Sequence, residues 1–167
     1  MKQSKIFFSG IIITLLASFA VQPGAEAYSY ADLASVTGGQ NCPHADLSHA
    51  NLTGVTAYTG SFQESTFDKA DLHRSDFTFA NLSYCWMYEA DLSDSLFAGA
   101  NLYEIHAHGI RAQRANFTSA KLGKATLTNG DFTEAVFENA MLDNAEMKGA
   151  VLKDTVWGTA FKEKTVF

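Results

Sequence analysis

Two histidines, His106 and His108, are separated by one residue, with Glu104 two residues before His106 and Glu89 farther upstream. In an extended segment alternate side chains project from one face, so both imidazoles could reach one metal ion with a carboxylate beside them. A His-x-His pair is not by itself a metal site, and no third or fourth ligand has a defined geometry. His106 and His108 are therefore only candidate ligands, and no cofactor is expected. Acidic residues recur at Asp71, Asp91 and Asp131, with Arg111 in the same series. Paired carboxylates can run acid–base hydrolysis. These, however, occupy a position where Asp, Asn and Thr recur throughout, and they are expected to be a polar ladder bonding at turns. Cys42 and Cys85 are the only cysteines. No Ser/His/Asp set, phosphate loop or nucleotide motif is present, so no catalytic residue is assigned and no enzyme is expected.

The element that must position these groups is a repeat. From Ala45 onward the chain reads in fives, beginning Ala45-Asp46-Leu47-Ser48-His49 and Ala50-Asn51-Leu52-Thr53-Gly54, and 25 units counted from Leu47 reach Phe167 without a slip in phase. The central residue of a unit is Leu in ten units and Phe in eight, and the residue two before it is Ala in fourteen. The residue between them favours Asp, Asn and Thr. A period of five fits neither a helix nor a sustained strand, either of which would carry Leu and Phe to every face. The chain must instead turn every five residues, with the central residue and the residue two before it always inward.

Four such turns close a square coil of 20 residues. At that step Phe77, Phe97, Phe117, Phe137 and Trp157 fall in one column, and Leu82, Leu102, Leu122 and Leu142 in another. Like shapes nest at the inter-strand spacing of about 4.8 Å. Exceptions support the same geometry. Ala57, Ala107 and Ala112 are undersized central residues, and each has a large residue two places earlier: Val55, Ile105 and Ile110. Volume lost at one inward position is recovered at its neighbour, as a close-packed core requires. About six coils give a rod of about 29 Å.

The ends depart from the repeat. Lys2 and Lys5, the apolar run from Ile6 to Val21 and the small-residue stretch Ala25-Glu26-Ala27 predict a secretory signal peptide over residues 1–27. No stable membrane insertion is expected after its removal. Residues 28–44 are expected to form an N-terminal cap with a short helix, carrying Tyr30, Leu33 and Val36 as an apolar stripe. A lysine at the central position 162 would bury a charge, so the regular repeat is expected over 45–159, with 160–167 as a cap or tail. The formal charge is −6, and loss of two Lys and one Glu with the signal segment makes it more negative. That disfavours nucleic acid and suits solubility or a basic protein partner.

The A(D/N)LXX pattern resembles the pentapeptide-repeat family over nearly all of the chain after the signal segment. The resemblance implies an all-β fold, a right-handed quadrilateral β-helix, and a motif that is structural rather than catalytic. Signal-bearing members are similar to proteins of the thylakoid lumen, so an exported location, lumen or periplasm, is implied. Another subset mimics DNA and binds type II topoisomerases. That role is the alternative here, and an exported chain never meets the chromosome. A metal-binding role for the histidines is the second alternative.

Within this coil Cys85 replaces an inward Ala, and Cys42 lies about two coils away along the axis. That separation of about 9–10 Å exceeds disulfide reach, so no bond between them is expected. The outward surface is unusual in two places. Tyr84, Trp86 and Tyr88 are expected on one face, with His106 above Trp86 and His108 above Tyr88. Exposed Trp and Tyr clusters anchor protein partners. Near the C-terminus, Val136, Met141, Val151 and Val156 make outward positions apolar. Either the tail covers them or two molecules pair there, leaving a monomer or a loosely associated homodimer. The function expected is a non-enzymatic binding or scaffold module with an unnamed protein partner.

Overall fold

The computed structural model describes Asp32, Ser35, Val36 and residues 41–167. Five-residue units turn four times per coil, and each coil pairs with the next through isolated parallel rungs 20 residues apart. Six successive rungs climb one side from Asp46 through Thr66, Trp86, His106, Thr126 and Glu146 to Val166. We call this the first face. The second carries Asp71, Asp91, Arg111, Asp131 and Val151, the third Asp76, Leu96, Asn116, Val136 and Val156, and the fourth Asn81, Asn101, Lys121, Met141 and Phe161.

Backbone bonding follows from the repeat. The Leu47 amide donates to the Thr66 carbonyl at 2.8 Å, and the Thr66 amide to the Ala45 carbonyl at 2.9 Å, so amides go to the neighbouring coils. At the corners the chain bends from one face to the next through a four-residue turn, as where Ala50 N–H donates to the Leu47 carbonyl at 3.0 Å. The third residue of that turn has positive φ, as in a type II turn. Among the described residues, twenty that are not glycine have positive φ, including the β-branched Thr59 at φ 58° and Phe79 at φ 58°. Each such conformation costs about 1–2 kcal/mol, and the pairing and core packing of the coils offset it.

The core is the predicted one. Phe77, Phe97, Phe117 and Phe137 are fully buried or nearly so. Their rings stack at 5.5, 5.5 and 5.0 Å, and Trp157 continues the column at 5.0 Å. The paired residues Ile105 with Ala107 and Ile110 with Ala112 are all buried. The same compensation runs in the opposite direction at Gly130. A Cβ there would lie 2.7 Å from Phe132 Cε2 and 3.3 Å from Cγ1 of Ile110, one coil below. Polar inward residues are tolerated because they donate to backbone carbonyls: Ser95 Oγ to Leu72 at 2.6 Å and Cys85 Sγ to Phe62 at 2.9 Å, both one coil below, and Ser75 Oγ to Leu72 of its own coil at 2.6 Å.

Both expected ends of the repeat move outward. Cys42 is buried and occupies a central position in the column of Phe62 and Leu82, and its amide donates to the Ser61 carbonyl at 2.8 Å. Residues 41–44, expected in the cap, therefore already belong to the ladder. At the other end the rungs Met141–Phe161 and Glu146–Val166 carry the coil past 159. Lys162 keeps the central position without burying its charge, because it lies in the last coil and is exposed there, with Nζ 4.4 Å from the centre of the Trp157 ring. Of the expected N-terminal cap, Asp32, Ser35 and Val36 are helical, and Val36 is fully buried in the core. Asp32 accepts the Asp46 amide at 3.0 Å. Tyr30, Leu33 and the signal segment 1–27 lie outside the described residues. Among those residues no helix is long and apolar enough to cross a membrane.

Candidate functional site

The first face carries the aromatic cluster. Trp86 and His106 occupy successive rungs, and their rings stack at 4.4 Å with 28° between planes. The parallel ladder produces this contact, because it places outward side chains of adjacent coils one above the other. Tyr88 leans on Trp86 at 5.8 Å. Its amide is fixed by Asp68 Oδ1 at 2.9 Å. Trp86 remains 42% exposed. Above Tyr88, Nδ1 of His108 lies 2.8 Å from Thr128 Oγ1.

Tyr84 does not join that cluster. It sits on the corner between the fourth and first faces and packs edge-on against Tyr103 at 6.0 Å. These two line a shallow groove of about 280 Å³ on the fourth face with Ser83, Lys121 and Met141. Tyr103 reaches across Gly123, where a Cβ would stand 3.2 Å from its ring. Lys124 closes the corner, with Nζ 2.8 Å from Glu104 Oε1 and 5.3 Å from the Tyr103 ring centre. The hydrogen bond to Glu104 holds the Lys124 pKa above its ordinary value, and Lys124 in turn lowers that of Glu104. Glu104 is thus committed to Lys124. His106 is stacked, His108 is bonded to Thr128, and no group of three or more metal-ligating side chains occurs among the described residues.

The second face is the expected polar ladder. Asp91 Oδ1 accepts the Ser93 amide at 3.0 Å, and its other oxygen takes the Arg111 guanidinium at 3.1 Å. Burial pushes the Asp91 carboxyl up, but the bonds from Ser93 and Arg111 outweigh it and leave it below the usual range. Asp131 behaves alike: bonds from Thr133 and Gln113 overcome burial. Asp94 is lowered by Arg114, whose Nε lies 2.6 Å from it. Every carboxylate in this series has a structural partner, which matches the reading as turn and ladder groups. Cys42 and Cys85 are both buried thiols, and burial pushes Cys85 up to about 12.

On the second, third and fourth faces the last coils are apolar outside. Met141, Val151 and Val156 are 40–50% exposed, and Val136 is half-buried. The tail does not fold over them: Phe161 and Val166 continue the ladder and are themselves exposed. A second exposed aromatic pair escaped sequence reasoning. Tyr58 and Phe79 meet edge-on at 5.7 Å, each more than half exposed. Both stand at outward positions of the five-residue phase, which is the signal that could have found them.

A family model described as pentapeptide repeats matches residues 61–94, 95–133 and 120–156, with 8 copies. The chain belongs to the pentapeptide-repeat family. Its coil is accordingly the right-handed quadrilateral β-helix. A crystal structure of the pentapeptide-repeat protein Rfr23 from the cyanobacterium Cyanothece 51142 is similar, at 20% identity and TM-score 0.68. The match covers 76% of this chain and 97% of that one. A pentapeptide-repeat protein of the Arabidopsis thaliana thylakoid lumen matches at 23% identity and TM-score 0.35, over 72% of this chain and 70% of its own. The plasmid-mediated fluoroquinolone resistance protein QnrB1 matches at 15% identity and TM-score 0.38, covering 70% and 68%. Curated protein sequences contained no match.

Proposed function

We propose that this pentapeptide-repeat protein is a non-enzymatic binding or scaffold module, exported to a thylakoid lumen or a periplasm, that presents the first face to a protein partner. The observation that carries the reading is the Trp86–His106 stack with Tyr88 beside it, exposed on a ladder whose remaining rungs are mostly small and polar. A rigid platform fixes aromatic side chains before contact, so little rotamer entropy is lost on binding. Export rests on the n-region, apolar run and Ala-x-Ala site of residues 1–27. The apolar exterior at Val136, Met141, Val151 and Val156 is the second contact surface, suited to loose self-association of two copies. The topoisomerase alternative gains nothing from the second face, where Arg111 and Arg114 interrupt the acidic column with ion pairs to Asp91 and Asp94.

The test is photo-cross-linking in the native cells, with a photoreactive residue at 86 and a control probe at the exposed Glu134, away from the first face. One protein trapped only from position 86 supports the module. Absence of any adduct specific to 86 overturns it.

A further inference from the structure

The Trp86 ring has two faces, and His106 covers only one of them. The rung on the other side is Thr66, and the rung beyond that is Asp46. A threonine side chain is too short to cover an indole. By register this leaves a notch at the Thr66 level, with Trp86 one rung above it and Asp46 one rung below. Asp68 flanks it, held in place by the Tyr88 amide at 2.9 Å. Basic side chains nearby already have acidic neighbours: Lys69 has Glu89 at 4.0 Å, and the His44 ring has Glu64 at 3.4 Å. Neither Asp46 nor Asp68 has a lysine or arginine at ion-pair distance among the described residues.

We propose that this notch receives an arginine side chain of a basic protein partner. The inference rests on the module reading above and names the chemistry of its partner. Two rungs span about 10 Å. A guanidinium lying on the open indole face at about 3.5–4 Å leaves about 6 Å to the Asp46 level. A carboxylate side chain and one charge-assisted hydrogen bond of about 2.8 Å fill that distance. Arginine fits better than lysine, because its planar group stacks on the ring and still directs N–H donors at Asp46 and Asp68. The negative charge of the chain favours the approach of a basic surface.

The experiment uses the signal-free chain with Trp157→Phe, which leaves Trp86 as the sole tryptophan reporter. The probes are a blocked Gly-Arg-Gly-Arg-Gly peptide and its counterpart with citrulline, which keeps the shape and loses the charge. Saturable quenching of Trp86 by the arginine peptide, at least about fivefold tighter than by the citrulline peptide, is expected. Because Trp86→Leu removes the reporter, its affinity is measured by calorimetry, and about a tenfold loss is expected. Asp46→Asn with Asp68→Asn should weaken binding similarly, since asparagine keeps the turn at Ser48 that Asp46 now accepts at 3.1 Å. Circular dichroism verifies that each variant keeps its fold. Either of two results overturns the proposal: equal binding of the two peptides, which leaves the charge no role, or binding that Trp86→Leu leaves unchanged, which reduces the effect to general charge attraction. A cross-linked partner whose peptide at position 86 has no arginine overturns the arginine notch and leaves the module reading standing.

Discussion

The pairing of Ile105 with Ala107 predicts a large non-additivity. Both residues are inward in one unit, at 1% and 0% exposure. Ile105 lies between Cys85 and Ala125 in its column, and Ala107 between Met87 and Leu127. Ile105→Ala removes three carbons from a site whose neighbours cannot collapse, because rungs above and below hold the backbone. The cost is about 2–5 kcal/mol. Ala107→Leu adds three carbons to a filled interior and costs about 1–3 kcal/mol. The double variant restores the consensus Ala-x-Leu of neighbouring units and keeps the total volume, so it should lie within about 1.5 kcal/mol of the parent. A coupling energy of about 3 kcal/mol of opposite sign to the singles follows. Equilibrium guanidinium unfolding, followed by far-UV circular dichroism, measures all four corners of the cycle. A double variant as unstable as the sum of the singles would refute the shared volume, and with it the geometry that makes both positions inward.

Thr59→Gly should stabilise the fold by about 1 kcal/mol, since a β-branched residue there holds φ at 58°; an unchanged or lowered thermal midpoint contradicts this. Cys85, pushed up to about 12 by burial, should resist thiol reagents at pH 8 in the folded chain and react at a rate that tracks unfolding; rapid labelling under native conditions counts against its inward placement. Asp91, Asp94 and Asp131 have folded-state pKa values below their unfolded ones. Their stabilisation is present above the unfolded value of about 3.9 and is lost as pH falls through the folded values. Unfolding free energy should therefore drop below about pH 4. The triple Asp→Asn variant, which keeps the turn acceptors, should show a shallower drop, and an identical slope would remove these three groups as its cause.

The amino-acid sequence alone determined the inside of this protein. A period of five with Leu or Phe at the centre and Ala two places earlier can be satisfied by few chains other than one that turns every unit. The recurrence of Phe at intervals of 20 sets four turns to a coil. Volume is conserved locally, so the Ile105–Ala107 exchange was legible before any coordinates. Even the Trp86–His106 stack was legible, because the ladder puts residues 20 apart on adjacent rungs.

The outside and the ends depended on tertiary structure. Tyr84, Trp86 and Tyr88 are close in sequence, but a corner separates Tyr84 from the other two and pairs it with Tyr103, 19 residues on. The positive φ of the turns left almost no trace in composition, since among the described residues twenty of these positions are not glycine. There the geometry is imposed by the pairing of coils rather than by local preference. Lys162 appeared to end the repeat because a central lysine is incompatible with a closed interior. In the last coil that position is open to solvent and beside Trp157, so the ammonium stays hydrated and the same phase continues to Val166.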